Sequence, residues 1–350
     1  MDNLWLLTEE RPKPSVINQI IEMYCADFDD IVTVNDEIKI KPIIEHGVFK
    51  FIYKVEGLKV SNAEDIFIKT VSGSSSFLDF LLFKQANTPT EGSSTDNLIM
   101  AIEETKTSDD ESRNTGVYQR GSKFVYIIPY YRDVKLYMLY NDELEAREDK
   151  KPSDTSIFGT NILLTLGVTI VGKNTSRWFR PFYSLDDLIN FKAGMRQPPS
   201  GNVPITILKY SDRIEISGRL AKPADKGNIG HDPNIGALSM ISACIRKLGW
   251  DKDIVITHHG VEQQYVNYTH GKNKFLYICS ILGMRLEGIV MPRNVVLPDL
   301  YWHYERHSEK MADILLHVQT MYHGMYCVYE NHAGCERGYF RTKSGRPITL

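Results

Sequence analysis

The stretch Leu98–Lys106, LIMAIEETK, runs from apolar side chains into two glutamates and a lysine, with EGSSTDN ahead of it and TSDDESRNTGVYQRGSKF behind. Alternate residues of a strand share a face, so Asp96, Leu98, Met100, Ile102, Glu104 and Lys106 are expected to project together. Two carboxylates facing one space make a site for a hard divalent cation. Mg²⁺ takes oxygen ligands and commonly uses one or two carboxylates plus a substrate phosphate. A lysine beside them orients a water and stabilises phosphate charge. Asp96 and Glu104 as metal ligands with Lys106 alongside suit metal-assisted hydrolysis of a phosphodiester, with Mg²⁺ as the cofactor and Mn²⁺ as a substitute.

An acid two residues before a lysine is a weak signal by itself. It recurs at Glu37–Lys39, Asp133–Lys135, Glu148–Lys150 and Asp149–Lys151. The last two fall in the charged run ELEAREDKKPSDTS and read as solvated charges, and Asp133 reads as a turn residue. Glu37–Lys39 is the serious rival, because Asp29 precedes it at the same interval and EIKIKPII is strand-like. Pro42 and an apolar run come after it, with no polar helix to grip a phosphate.

A polar helix does come after Glu104–Lys106, read over ESRNTGVYQRGSKF, where Arg113, Val117 and Arg120 share a face. Asn114, Gln119 and Lys123 add donors, so Arg113, Asn114, Gln119, Arg120 and Lys123 are the candidate DNA contacts. The plainer reading is a solvated surface helix.

With these residues in view, the region from Ser76 to Tyr140 resembles the PD-(D/E)xK nuclease superfamily, most of all its type II restriction endonucleases. That pattern is an acid, then a strand ending acid-x-Lys, then a flanking helix. Asp96 matches the first acid and Glu104 and Lys106 the second part, while Thr95 stands where the family has a proline. The resemblance implies an α/β fold: a mixed-sheet, restriction-endonuclease-like core flanked by helices, with an additional α+β C-terminal region. It implies a Mg²⁺-dependent, sequence-specific endonuclease acting on double-stranded DNA as a homodimer. The alternatives are a structure-directed repair or recombination nuclease of the same superfamily, and a non-catalytic DNA-binding or structural protein.

The whole chain sets outer limits. Its 350 residues, 42% hydrophobic, suffice for one large or two medium domains. A net charge of −3 excludes a general basic field for nucleic acid, leaving only local patches. Five scattered cysteines do not make a disulfide framework and read as a reducing, cytoplasmic setting. MDNLWLLTEERPKP carries an acid at position 2 and is not expected to be a signal peptide, and IFGTNILLTLGVTIVG falls short of a membrane span.

The elements follow from periodicity. Helices are expected over 15–28, 75–86, 111–124, 235–250 and 308–324, and strands over 37–44, 49–58, 65–71, 98–106, 124–131, 135–141 and 253–259, with a strand pair over 205–220. The linker RQPPSGNVP divides a catalytic region, 1–195, from a recognition or dimerisation region, 196–350. His323, Cys327, His332 and Cys335 are soft ligands within a short span, though their spacing matches no zinc pattern. The run His258–Lys274 is rich in hydrogen-bonding side chains, as base-reading loops and ordinary surface loops both are. The aromatic patch KNTSRWFRPF has two readings as well, stacking on bases or packing.

Overall fold

The computed structural model describes residues 1–9, 11–45, 48–72, 78–89, 96–105, 116–127, 133–140, 154–172, 177–193, 205–218, 233–258, 279–286, 302–303, 325–332 and 335–342. Its architecture is α/β, with a large mixed sheet flanked by helices. The chain divides into two compact units, Met1–Met100 with Asp299–Leu350, and Ala101–Pro298. Neither edge coincides with the boundary expected at 195/196. The residues that were to open a separate C-terminal region supply a helix packed into the second unit.

In the first unit, helix α1 (Pro14–Phe28) forms because Ile17, Ile20, Ile21, Tyr24 and Cys25 recur at helical spacing and are all buried. Pro14 suits its first turn, and Asp29 ends it in the left-handed conformation, φ 54, with its N–H on the Cys25 carbonyl. Strand β1 (Asn3–Thr8) lies parallel to β4 (Ile66–Ser72) and antiparallel to β5 (Phe80–Gln85). A long hairpin, β2 (Val32–Glu45) and β3 (Val48–Val60), joins at β3–β4.

Strand β5 replaces the helix expected over 75–86. Phe80, Leu81, Leu82 and Phe83 are all buried, so both faces of the strand are covered and its sequence shows no alternation. Strand β6 (Leu98–Thr105) comes next in the chain, and its residues from Ala101 onward belong to the second unit.

In the second unit the strand order continues from β6 to β7 (Lys135–Tyr140) and β8 (Val168–Val171), the last two parallel and linked through helix α3 (Asp154–Thr165). Helix α2 (Gly116–Ile127) comes after β6. Phe124, Val125, Tyr126 and Ile127, expected as the start of a strand, form its buried last turns. A short apolar run does not by itself distinguish the two.

A separate four-stranded sheet has the order β12-β11-β10-β9, from β9 (Thr206–Lys209), β10 (Arg213–Gly218), β11 (Asp253–His258) and β12 (Met284–Leu286). Helix α5 (Pro233–Lys247) connects β10 to the parallel β11 and packs on α2 and α3. Two glycines let those helices approach closely. A Cβ on Gly121 would lie 2.7 Å from the Met240 sulfur, and one on Gly159 would lie 2.5 Å from Val117 Cγ1. At the end of α5, Arg246 donates to the carbonyls of Leu282, Trp250, Lys252 and Gly283, which closes the helix terminus onto the starts of β11 and β12.

The expected helix over 308–324 and most of the His258–Lys274 run lie outside the described residues. Cys25, Cys244 and Cys279 are buried free thiols, and burial pushes the Cys244 thiol up to about 12. Among the described residues, no helix is long and apolar enough to cross a membrane.

Candidate functional site: the end of strand β6

Burial along β6 dictates what its end must do. Leu98, Met100, Ala101 and Ile102 are buried, and the next residue, Glu103, has a side chain that is 0% exposed. A carboxylate taken out of water requires compensating charge and hydrogen bonds. Helix α2 supplies both from Arg120 and Lys123, which sit three apart and therefore on one helical face. Arg120 Nη1 donates to Glu103 Oε1 at 2.9 Å, and Lys123 Nζ donates to the same oxygen at 2.7 Å. Arg120 Nη1 also donates to the backbone carbonyl of Glu104 at 2.5 Å. The strand end and the helix are thus tied through one buried anion and one carbonyl.

Glu104 itself is half-buried, and as the next residue along the strand it faces away from Glu103. That side is where a metal-binding carboxylate was expected.

The structure does not bring Asp96 to it. Asp96 precedes β6, buried, with its Oδ1 accepting from Gln85 Nε2 at 3.1 Å at the opposite end of the strand. Eight residues of extended chain span roughly 25 Å, whereas ligands of one Mg²⁺ stand about 2 Å from it. The pairing of Asp96 with Glu104 on a single ion is therefore corrected, because period-two alternation places residues on a common face without making them neighbours.

The candidate DNA contacts divide as well. Arg120 and Lys123 are turned onto Glu103 and are not an outward-facing row. Gln119 lies within α2, while Lys106, Arg113 and Asn114 lie outside the described residues.

The rivals resolve more simply. Glu37 and Lys39 form an exposed surface pair at 3.9 Å on β2, and Asp29 caps α1. Cys327 and His332 are five positions apart on β14 (Met325–His332), while Cys335, on β15 (Cys335–Thr342), is paired with His332. His323 lies outside the described residues. In the KNTSRWFRPF patch, Phe179 and Phe182 are buried and the Arg177 guanidinium sits 4.8 Å from the Trp178 ring centre. No group of three or more His, Cys, Asp and Glu side chains converges as a metal set among the described residues.

Glu103 is the residue that acid-x-Lys spacing passes over. Its signal was present in the sequence: a charge continuing an apolar strand, then two cations three apart on the next helix.

Besides Asp96, the first unit buries the carboxylate of Asp30. Asp30 accepts from Tyr24 Oη at 2.5 Å, from Ser61 Oγ at 3.0 Å and from Asn62 Nδ2, with Lys84 Nζ 3.6 Å away. Burial alone would raise its pKa. Donation by Tyr24, Asn62 and Ser61, with the Lys84 charge, outweighs this and holds the carboxyl below its ordinary range. A depressed folded-state pKa gives stability that is present above the unfolded-state value and lost as pH falls through the folded one. Asp30→Asn should therefore cost on the order of 1–2 kcal/mol at neutral pH, with the difference from wild type shrinking below about pH 4. Denaturant titrations at several pH values measure it, and a pH-independent difference would contradict it.

Compared with known proteins, the chain matches no family model, no curated protein and no solved structure.

Proposed function

We propose that the chain is a Mg²⁺-dependent endonuclease of the PD-(D/E)xK kind acting on double-stranded DNA, with Glu104 as its metal-binding carboxylate and Lys106 beside the attacking water. The observation that carries the reading is the position of Glu104, half-buried at the end of a buried strand whose last turn of chain is clamped to the following helix. Mg²⁺ commonly takes only one or two protein carboxylates and completes its octahedron with water and substrate phosphate. One placed carboxylate is enough to start such a site. Lys106 enters by its place in the sequence, two residues after Glu104.

In this scheme the bound Mg²⁺ would act as a Lewis acid on the scissile phosphate. Glu104 holds the metal, and Lys106 orients the water and offsets phosphate charge. Two copies of the chain on a symmetric site would cut both strands.

A specific observation favours a second reading. Arg120 and Lys123 are engaged by Glu103, which serves a protein that holds this fold without chemistry. A digest of a sequenced supercoiled plasmid separates the possibilities. Discrete fragments support a sequence-specific enzyme, whereas cuts at branched or damaged positions alone support a structure-directed one. DNA binding without nicking supports the non-catalytic reading.

A further inference from the structure

Arg120 connects two successive residues of β6 through one nitrogen. Its Nη1 reaches the Glu103 carboxylate at 2.9 Å and the Glu104 carbonyl at 2.5 Å. The carboxylate is wholly buried and is also held by Lys123 at 2.7 Å, so the guanidinium is fixed by an anion that cannot move into water. Because Glu103 and Glu104 face opposite sides of the strand, a contact gripping the backbone from the Glu103 side determines where the Glu104 side chain stands on the other. Mg²⁺ demands near-ideal octahedral geometry, so its affinity is sensitive to small displacements of a ligand.

We infer that Arg120 is a positioning residue: anchored by Glu103, it holds the Glu104 peptide and so places the metal-binding carboxylate, without itself touching metal or DNA. The inference rests on the reading of Glu104 as a metal ligand, and it deepens that reading by naming what orients the ligand. Partners of this kind behind a metal ligand are worth roughly 10- to 100-fold in metal affinity or activity.

The test is Mn²⁺ binding by titration calorimetry together with steady-state cleavage, on wild type, Arg120→Lys and Glu103→Gln. Arg120→Lys keeps the charge but loses the planar, fixed-reach guanidinium, and Glu103→Gln keeps the shape but loosens the anchor. Should the first fail to fold by circular dichroism, the second carries the same expectation.

Mn²⁺ affinity and kcat should fall roughly 10- to 100-fold together, while KM for DNA stays within about twofold and the salt slope is unchanged. Unchanged Mn²⁺ affinity in both variants of a cleaving enzyme overturns the inference and leaves the nuclease reading standing. A raised KM with a shallower salt slope makes Arg120 a DNA contact and also overturns it. If wild type binds Mn²⁺ without cleaving and the variants bind it more weakly, the positioning role stands and the nuclease reading falls. If wild type binds no Mn²⁺, both fall.

Discussion

Glu104→Gln should reduce Mg²⁺-dependent cleavage by on the order of 100-fold or more, since a direct ligand is worth at least what its outer partners are worth. The amide keeps the size of the side chain and removes the charge that binds a hard cation. Glu104 is half-buried where Glu103 is wholly buried, and Gln keeps its size, so the melting temperature should fall less than in Glu103→Ala. Lys106→Ala should lower the rate to a similar extent, in line with the roughly 100- to 1,000-fold seen when a stabilising donor is removed from a reacting centre. Lys39→Ala should leave cleavage unaltered, because Lys39 belongs to an exposed pair on β2. An active Lys106→Ala protein beside a dead Lys39→Ala protein would move the site to the other strand.

Glu103→Ala should produce the largest loss of stability. Removing a buried carboxylate strands two cations in the space it occupied, and breaking a buried pair in this way typically costs about 3–5 kcal/mol. Arg120 and Lys123 keep 30% and 14% of their side-chain surface. Both can therefore recover some hydration, which places the expectation near the lower end, about 3 kcal/mol. Urea denaturation of wild type and variant measures this, with Glu103→Gln expected to lose less because its amide oxygen still accepts. A loss under about 1 kcal/mol would mean that solvent already screens the triad.

Much of the first unit was legible because its elements are amphipathic. Helix α1 carries its buried face at regular spacing, the strands at 37–44 and 49–58 fall within β2 and β3, and the one at 65–71 overlaps β4 from Ile66. Legibility failed where burial covers every face. Strand β5 and the last turns of α2 are both short apolar runs, and side-chain pattern alone cannot tell a central strand from a helix between layers. The compact units divide elsewhere than at the Pro- and Gly-rich linker: α5 is apolar enough to pack on α2 and α3, a contact that no linker composition reveals.

At the site, β6 and the helix after it were readable, and Glu104 falls on the strand as expected. Asp96 did not join it, because sharing a face says nothing about distance along a strand. Glu103 was hidden by a motif that counts only alternate positions, although the buried charge is what organises the strand end.

The most direct measurement is the initial rate of supercoiled-plasmid nicking by the wild-type chain in Mg²⁺, in Ca²⁺ and in excess EDTA. The proposed site predicts cutting in Mg²⁺, little in Ca²⁺, whose loose oxygen geometry and weaker Lewis acidity support binding better than chemistry, and none in EDTA. Equal nicking with the metal chelated would contradict it.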